Sequence, residues 1–359
     1  MLYSDRSTGK KLGEGTYAIV YKGHVRDNPA QLVAIKKIKV NAEYKDGLSM
    51  DAIREVKYLQ ELSHPNIIAL HSVYSSKNQN LNLVLEFLPL GDLEMLIRDT
   101  NGVRYGTADV KAWMGMLSRA IWFCHENFIL HRDIKPNNLL IAEDGTVKLA
   151  DFGLARSFAD PYLPMTHNVI TRWYRPPELF FKARHYSGAV DIWSMGTVFA
   201  ELILRTPFMP GNTDIHQIDL ISQAIGTPTD ENWPGVSSLD GYVPVAKDKI
   251  IPLRDRNYFS GLFGTAGPLG VDLLISMLQL DPRKRVTARQ VLEHAWWRNE
   301  PRPTRNEDLP KKGKGGEAKM GEDLKRRGGE LDATSRGDAS GGKTSKVARK
   351  LDFSAAKKR

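Results

Sequence analysis

The chain has 359 residues, of which 41% are hydrophobic and 26% charged, a composition typical of a soluble globular protein. Its longest apolar stretch, residues 192–204, is shorter than the ~20 residues needed to span a bilayer. The first ten residues lack the apolar core of a secretory signal. We therefore expect no membrane or secreted protein. The single cysteine, Cys124, excludes an internal disulfide framework and is typical of a reducing compartment.

The net charge of +9 is concentrated at the C-terminus. From residue 300 onward there are 17 basic and 10 acidic residues, whereas residues 1–299 carry 34 and 32. The body therefore gives no indication of direct nucleic acid binding. Residues 301–359 are rich in glycine and lysine without apolar periodicity, and we predict that they form a disordered basic tail. The basic end of this tail is a candidate nuclear import signal or phosphate-binding patch, and a solvated tail without a partner is the alternative.

A glycine-rich turn near the N-terminus is the first candidate binding element. Residues 13–18 read GEGTYA between two strand-like runs, and such glycines let backbone N–H groups approach phosphate. Ala18 stands where a third glycine is usual, so a simple hairpin turn is an alternative. No helix follows the glycines directly, which excludes a Rossmann or P-loop interpretation. The next strand, VAIK at 33–36, ends in Lys36.

A helix is predicted within residues 45–62, because apolar residues recur there at helical spacing: Ile53, Val56, Leu59 and Leu62. Glu55 lies on this helix. Most carboxylates on a helix are exposed, and a pair with Lys36 is the alternative. Residues 81–87, LNLVLEF, predict a buried strand.

Residues 129–156, ILHRDIKPNNLLIAEDGTVKLADFGLAR, constrain the chemistry most tightly. Two short apolar runs flank an Asp-Gly pair at 144–145, which predicts a tight turn, so a loop leads into a hairpin. Asp133 in the loop can accept a hydroxyl proton. Asn138 and Asp151, at the two ends of the hairpin, supply the hard oxygen ligands that Mg²⁺ prefers.

The remainder of the chain is mostly helical. Helices are predicted at 92–99 and 107–127, and a further apolar helix begins at 190. Between them, residues 157–175 show no sustained period. An irregular segment of this length within a compact domain usually has a function.

Together these motifs resemble the eukaryotic Ser/Thr protein kinases over residues 8–299. The resemblance implies an α+β bilobal kinase fold, with a small β-rich N-lobe (8–88) and a larger helical C-lobe (89–297). Lys135, two residues after Asp133, marks Ser/Thr specificity in that family. Within it the chain looks like the cyclin-dependent kinases, and Asn137 and His167 favour the CDK-activating branch, which supplies the kinase subunit of transcription factor IIH. The stretches that carry this likeness are KDGL at 45–48, AIRE at 52–55, ELSHPNII at 61–68, KPNNLL at 135–140 and THNVITRWYR at 166–175.

The resemblance implies a site for ATP and Mg²⁺. Asp133 is expected to position the substrate hydroxyl and accept its proton, and Lys36, held by Glu55, to orient the α/β-phosphates. Lys135 is expected to neutralise charge on the γ-phosphate, while Asn138 and Asp151 hold magnesium. The expected nucleotide-binding residues are Leu12, Gly13, Glu14, Gly15, Thr16, Tyr17, Ala18, Val20, Ala34, Lys36, Glu86, Leu88 and Leu140. Residues 89–92 look one residue longer than the usual hinge exit.

Regulation is also implied by the resemblance. A cyclin, similar to cyclin H, is expected on the 47–62 helix, together with a RING-type assembly factor. Thr166 is the expected activation-loop phosphosite, beside a basic cluster: Arg54, Arg132 and Arg156. Arg285 is expected to pair with Glu178, and Asp160 to supply a constant charge where this branch has a second phosphosite. Thr16 and Tyr17 reproduce an inhibitory phosphorylation motif, although a structural role is the favoured interpretation.

The predicted function is phosphoryl transfer from Mg-ATP to Ser or Thr followed by proline, in the nucleus. The expected substrates, implied by the family alone, are the C-terminal repeat domain of RNA polymerase II and the activation loops of other cyclin-dependent kinases. The alternatives are a cell-cycle cyclin-dependent kinase, a catalytically silent kinase-fold scaffold and, from the tail alone, a nucleic-acid-binding protein. The presence of Lys36, Glu55, Asp133, Asn138 and Asp151 disfavours the scaffold.

Overall fold

A computed structural model describes residues 3–4, 10–14, 18–39, 50–76, 81–160, 162 and 164–312. It has a β-rich N-lobe followed by a helical C-lobe, and this confirms the predicted α+β bilobal architecture. The strands are β1 Tyr3–Ser4, β2 Lys11–Glu14, β3 Ala18–Val25, β4 Asn28–Ile38, β5 Leu70–Ser75, β6 Leu81–Glu86, β7 Ile129–Leu130, β8 Leu139–Ile141, β9 Val147–Leu149 and β10 Arg156–Ser157. The α-helices are α1 Met50–Glu61, α2 Leu93–Arg98, α3 Thr107–Glu126, α4 Pro177–Phe180, α5 Ala189–Leu204, α6 Asp214–Ala224, α7 Arg256–Phe263, α8 Gly267–Met277 and α9 Ala288–Glu293.

The N-lobe sheet has the order β1-β3-β4-β6-β5, with β2 also paired to β3, and its pairs are antiparallel. Alternation along β4 separates its two faces, because successive side chains of a strand point to opposite sides. Val33 and Ile35 pack with Val84 on one face. Ala34 joins the main core on the other face, and Lys36 follows it there. The register therefore directs Lys36 toward the cleft between the lobes.

Helix α1 confirms the predicted helix, although its apolar residues are not all buried. Leu59 is buried, whereas Ile53 is 44% exposed. The helical period instead buries Ala52, Glu55 and Tyr58. Residues 45–49 of the predicted helix lie outside the described residues.

The C-lobe is organised around α5, whose residues 190–202 are all buried. α3 packs against α5, β9 and α9. Two short pairs, β8 with β9 and β7 with β10, lie on the cleft side of this helical body.

Residues Arg256–Met277 are long and apolar enough to span a membrane by length and composition alone. The stretch contains α7, a 3-10 turn over Gly264–Ala266 and α8. Phe259, Phe263 and Leu274 are buried within the main core. Length and composition alone are weak evidence for a membrane span, because core helices pass the same test.

The predicted disorder from residue 301 is wrong over its first twelve residues. Residues 301–312 lie along the C-lobe, with a 3-10 turn at Asn306–Asp308 and a buried Leu309. Composition did not reveal this, because one apolar anchor and hydrogen bonds to distant residues hold the segment in place. The remainder of the predicted tail, 313–359, lies outside the described residues.

Candidate active site

The loop between β7 and β8 (131–138), which is the expected catalytic loop, is held in place by Asp191 near the start of α5. Its carboxylate accepts hydrogen bonds from the backbone N–H groups of His131 (3.0 Å) and Arg132 (2.9 Å) and from His125 Nε2 (2.9 Å). Burial raises the pKa of the Asp191 carboxyl, but these hydrogen bonds and the nearby histidines outweigh it, and the net pKa is lowered. Arg132 has a left-handed backbone (φ 64°), a conformation that non-glycine residues adopt uncommonly. The loop is thus fixed by a buried charge.

His131 links the catalytic loop to the other end of the hairpin. Its Nδ1 accepts from the N–H of Asp133 at 3.2 Å, and its Nε2 lies 3.1 Å from the carbonyl of Ala150. Burial lowers the pKa of His131, so the neutral imidazole with a proton on Nε2 satisfies both contacts. The Phe152 ring packs edge-on against the His131 ring, with 4.7 Å between the ring centroids. The two segments that carry Asp133 and Asp151 are therefore coupled.

Asp133 lies at the centre of a compact polar cluster. Thr171 Oγ1 donates to its Oδ1 at 3.0 Å, and Asn138 Nδ2 donates to its Oδ2 at 3.0 Å. Lys135 Nζ lies 3.4 Å from Oδ2 and donates to Thr171 Oγ1 at 3.2 Å. The sequence therefore correctly anticipated that Asp133, Lys135 and Asn138 lie together.

Asn138 and Asp151 are brought together by the β8–β9 hairpin. Leu139 pairs with Leu149, and the N–H of Ala150 donates to the carbonyl of Asn138 at 2.9 Å. The Asn138 amide nitrogen also donates to the backbone carbonyl of Asp133 at 2.7 Å, so Oδ1 is the atom available to a cation. An amide oxygen and a carboxylate form a donor set that fits Mg²⁺.

Lys36 and Glu55 form the predicted ion pair. Lys36 Nζ lies 2.8 Å from Glu55 Oε1 and 2.6 Å from Oε2. The Glu55 side chain is 4% exposed, and Lys36 Nζ is also 3.6 Å from Asp151 Oδ1. α1 contacts the Phe152–Leu154 turn, which joins these groups across the cleft. The lysine is thus positioned between the helix and the expected metal-binding carboxylate.

The predicted nucleotide-binding site draws on both lobes. Side chains of both lobes belong to one buried core cluster: Leu12, Ala18, Val20, Ala34, Leu88 and Leu140. The Glu86 carboxylate accepts from the N–H of Ala69 (2.9 Å) and pairs with Lys148 (2.8 Å), so this side chain serves the structure.

In the glycine-rich turn, Gly13 pairs with Val20 next to a register shift, and Glu14 pairs with Lys39 at 2.7 Å and with Lys11. The hydrogen bond from Lys11, then that from Lys39, lowers the pKa of Glu14 to about 2. Gly15, Thr16 and Tyr17 lie outside the described residues.

Residues 89–92, the expected exit of the hinge between the lobes, lead directly into α2. Gly91 has φ 84°, and its carbonyl accepts from Ile141 N–H at 2.8 Å. Asp92 Oδ1 accepts from Met95 N–H at 2.9 Å as the N-cap of α2. An N-cap carboxylate stabilises the helix start, so Asp92 has a structural use here.

The predicted basic cluster around Thr166 is only partly assembled. Arg132 Nη1 donates to Tyr186 Oη at 2.8 Å, and Tyr186 Oη donates to the carbonyl of Thr166 at 2.7 Å. Arg156 Nη2 donates to the carbonyl of Pro164 at 3.2 Å. Arg54 instead pairs with Asp51 on its own helix at 3.1 Å.

Asp160 is also in a local contact, because its Oδ1 accepts from the N–H of Tyr162 at 2.9 Å. Its proposed role as a constant negative charge stays a prediction.

Glu178, just after the irregular segment 157–175, forms the predicted pair with Arg285. Arg285 Nη1 lies 2.6 Å from Glu178 Oε1, and Nη2 lies 2.7 Å from Oε2. Both side chains are almost fully buried. This bidentate geometry anchors the end of the segment that carries Thr171.

Sequence reasoning assigned no role to Thr171, Asp191 or Tyr186. Thr171 lies 38 positions from its partner Asp133, and Asp191 lies 59 from Arg132. Thr171 stands inside the stretch 166–175 that carried the family resemblance, and that was the available signal for it, whereas Asp191 was noticed only as part of an apolar helix. Nothing local in the sequence marks Tyr186.

Comparison with known proteins agrees with this geometry. Residues 6–297 match the family described as protein kinase domain. Serine/threonine-protein kinase KIN28 of Saccharomyces cerevisiae is 50% identical over 295 residues, covering 82% of this chain and 94% of KIN28. Cyclin-dependent kinase 7 of Xenopus laevis is 46% identical over 302 residues, covering 84% and 83%. A chain of the CAK complex of Chaetomium thermophilum bound to ATP-γ-S is 69% identical with a TM-score of 0.83, covering 87% of this chain and 96% of that chain.

The family match and the relatives span most of the chain, and the polar clusters around Asp133 and Lys36 are intact. A chain that shared only the kinase fold would not need to keep these two polar clusters. The chain belongs to the protein kinase family, as a serine/threonine cyclin-dependent kinase of the CDK-activating type.

Proposed function

We propose that the chain transfers the γ-phosphate of Mg-ATP to Ser or Thr followed by proline, as the kinase subunit of transcription factor IIH. The arrangement of Thr171, Lys135 and Asn138 around Asp133 is the observation that carries the phosphoryl transfer, whereas the assignment to transcription factor IIH comes from the family resemblance. Three donors or cations converge on one carboxylate beside the hairpin that bears the oxygen ligands. Positioning and electrostatics of this kind supply most of the catalysis in phosphoryl transfer.

In the proposed mechanism, Asp133 orients the substrate hydroxyl and takes its proton as that oxygen attacks the γ-phosphorus. The bond from the γ-phosphorus to the bridging oxygen breaks, and ADP leaves. Lys36 orients the α/β-phosphates, and Lys135 neutralises charge on the transferred group. Asn138 and Asp151 would hold Mg²⁺, which supplies charge neutralisation on the phosphates when bound.

The segment before α4 supports selection of proline after the phosphorylated residue. Ile170 has φ 67°, a genuine outlier for a β-branched residue. Its carbonyl accepts from Arg175 Nε (3.1 Å) and Nη2 (2.9 Å). A substrate N–H placed against this carbonyl would meet an acceptor that is already engaged, whereas proline has no N–H to satisfy. Peptides with Ser-Pro should therefore exceed matched Ser-Ala peptides in kcat/KM by about 10- to 100-fold.

A cyclin is the proposed partner of α1. Met50 and Ile53 lie one turn apart on this helix and are 59% and 44% exposed, while Glu55 on the opposite face pairs with Lys36. Exposed apolar residues on such a helix indicate a partner surface. A cyclin H-like protein, a RING-type assembly factor and a nuclear location are proposed from the family resemblance and the basic tail. The polymerase II repeat domain and the activation loops of other cyclin-dependent kinases are the proposed substrates.

The chemistry is tested with Asp133→Asn and Lys36→Arg in the full chain bound to its native partners. Both should abolish transfer to a polymerase-repeat peptide while thermal unfolding stays close to that of the unmodified chain. Near-normal turnover by either folded variant would overturn the assignment.

The pathway is tested by identifying the proteins that co-purify with the chain from native lysate. A cyclin H-like protein with a RING-type factor, and activity on the repeat peptide, is the expected result. A mitotic-type cyclin without repeat activity would move the protein to the cell-cycle branch.

A further inference from the structure

Residues 301–312, which we call the C-terminal strap, are fastened to the N-terminal end of α3. Thr304 N–H donates to the carbonyl of Ala108 at 3.1 Å, and Thr304 Oγ1 donates to Asp109 at 2.7 Å. Buried Lys111 donates to the carbonyls of Asn299 (2.7 Å) and Pro301 (2.9 Å). Burying a lysine in this way is unfavourable unless its ammonium is hydrogen-bonded, so the strap begins at a specific anchor.

The strap then crosses the turn of the β8–β9 hairpin. Asn306 Nδ2 donates to Thr146 Oγ1 at 3.0 Å, and Lys311 Nζ donates to the carbonyl of Glu143 at 3.2 Å. Gly145 has φ 88°, and a Cβ added there would overlap the carbonyl of Asn306. Glycine is thus required at this position for two reasons: the positive φ angle and the close approach of the strap backbone.

The expected magnesium ligands lie at the open end of this hairpin, opposite its turn. β8 begins directly after Asn138, and Asp151 follows two residues after β9 ends. Each strand of the hairpin has only three residues, so a displacement of the turn also displaces Asn138 and Asp151. Leu309, 3% exposed, belongs to the main core and fixes the strap beside it.

We propose that the C-terminal strap is a positioning element for the magnesium site. By clamping the hairpin turn against α3, it sets the separation and orientation of Asn138 and Asp151. This inference rests on the proposed function, because it assumes that these two residues hold the metal. It assigns a role in catalysis to residues 301–312, which lie beyond the matched kinase domain (6–297).

The test uses Leu309→Asp in the full chain with its native partners, and Leu309→Met as the control that keeps an apolar side chain of similar volume. The rate is measured against Mg²⁺ concentration at saturating ATP and peptide, well below the unfolding temperature. Leu309→Asp should raise the Mg²⁺ concentration for half-maximal rate by about tenfold, the low end of the effect of losing outer-shell support. The KM for peptide should stay unchanged, and Leu309→Met should behave like the unmodified chain.

An unchanged Mg²⁺ dependence in Leu309→Asp, with only a lower unfolding temperature, would overturn the proposal and leave the strap a stabilising segment. If Leu309→Asp does not fold, Asn306→Ala removes the contact to Thr146 at an exposed position. A shift in the same direction is then expected, and its absence would also overturn the proposal. Failure of the proposed function would appear differently, as an unmodified chain without phosphotransfer.

Discussion

Replacing Arg285 with alanine should destabilise the kinase severely. The guanidinium makes two hydrogen bonds to Glu178, at 2.6 and 2.7 Å, and also donates to three backbone carbonyls: Gln279, Ala189 and Leu280. It also stacks on the ring of Trp193, 4.9 Å from its centroid. The Arg285 and Glu178 side chains are 0% and 3% exposed, so the variant would leave a buried carboxylate without its cation.

Breaking a buried ion pair from one side costs about 3–5 kcal/mol. The three carbonyls that also lose a donor place Arg285→Ala at the upper end of this range. For a domain of about 300 residues, such a loss lowers the unfolding midpoint by roughly 5–8 °C. Thermal denaturation followed by circular dichroism measures this midpoint directly.

Two further variants separate the lost pair from lost volume. Arg285→Lys keeps the charge but loses the bidentate geometry, and its midpoint should fall between those of the unmodified chain and Arg285→Ala. Arg285→Met combined with Glu178→Leu removes both charges and should be less damaging than Arg285→Ala alone. A double variant less stable than Arg285→Ala, or an Arg285→Ala shift below about 2 °C, would refute the reasoning.

Two other predictions concern Thr171, which contacts the Asp133 carboxylate, and Glu201, a buried acid in α5. Thr171→Val removes the hydroxyl that donates to Asp133, and kcat should fall about 10- to 100-fold with little change in the KM for ATP. Thr171→Ser, which keeps the hydroxyl, should retain most of the activity, and equal losses in both would argue against the hydrogen bond. Burial raises the pKa of Glu201 to about 7, although Tyr174 Oη donates to it at 2.8 Å. Since its ordinary value is 4.5, folding stability should decline by about 3 kcal/mol as pH rises from 4.5 to 7. Glu201→Gln should lack this part of the decline, so the difference in unfolding midpoint should widen between pH 5 and pH 8, and a constant difference would contradict the assignment.

The sequence by itself determined the fold class and placed most of the candidate site residues. Asp133, Lys135 and Asn138 stand within one short loop, where local spacing limits how they can be arranged. Asp151 is close in sequence as well, because a hairpin with a recognisable Asp-Gly turn returns the chain to it. The pairs Lys36–Glu55 and Arg285–Glu178 were anticipated through the resemblance, since no local rule joins residues so far apart.

The tertiary structure alone decided which side chains complete the site. Thr171 reaches Asp133, and Asp191 holds the loop, through contacts between segments that periodicity and propensity cannot relate. Ile53 belongs to the apolar stripe of α1 and is nevertheless 44% exposed, because helical spacing defines a stripe but not what covers it. The ordered conformation of residues 301–312 likewise depends on tertiary contacts. A few specific contacts to α3 and the hairpin offset the entropy of ordering a polar segment, and composition does not contain them.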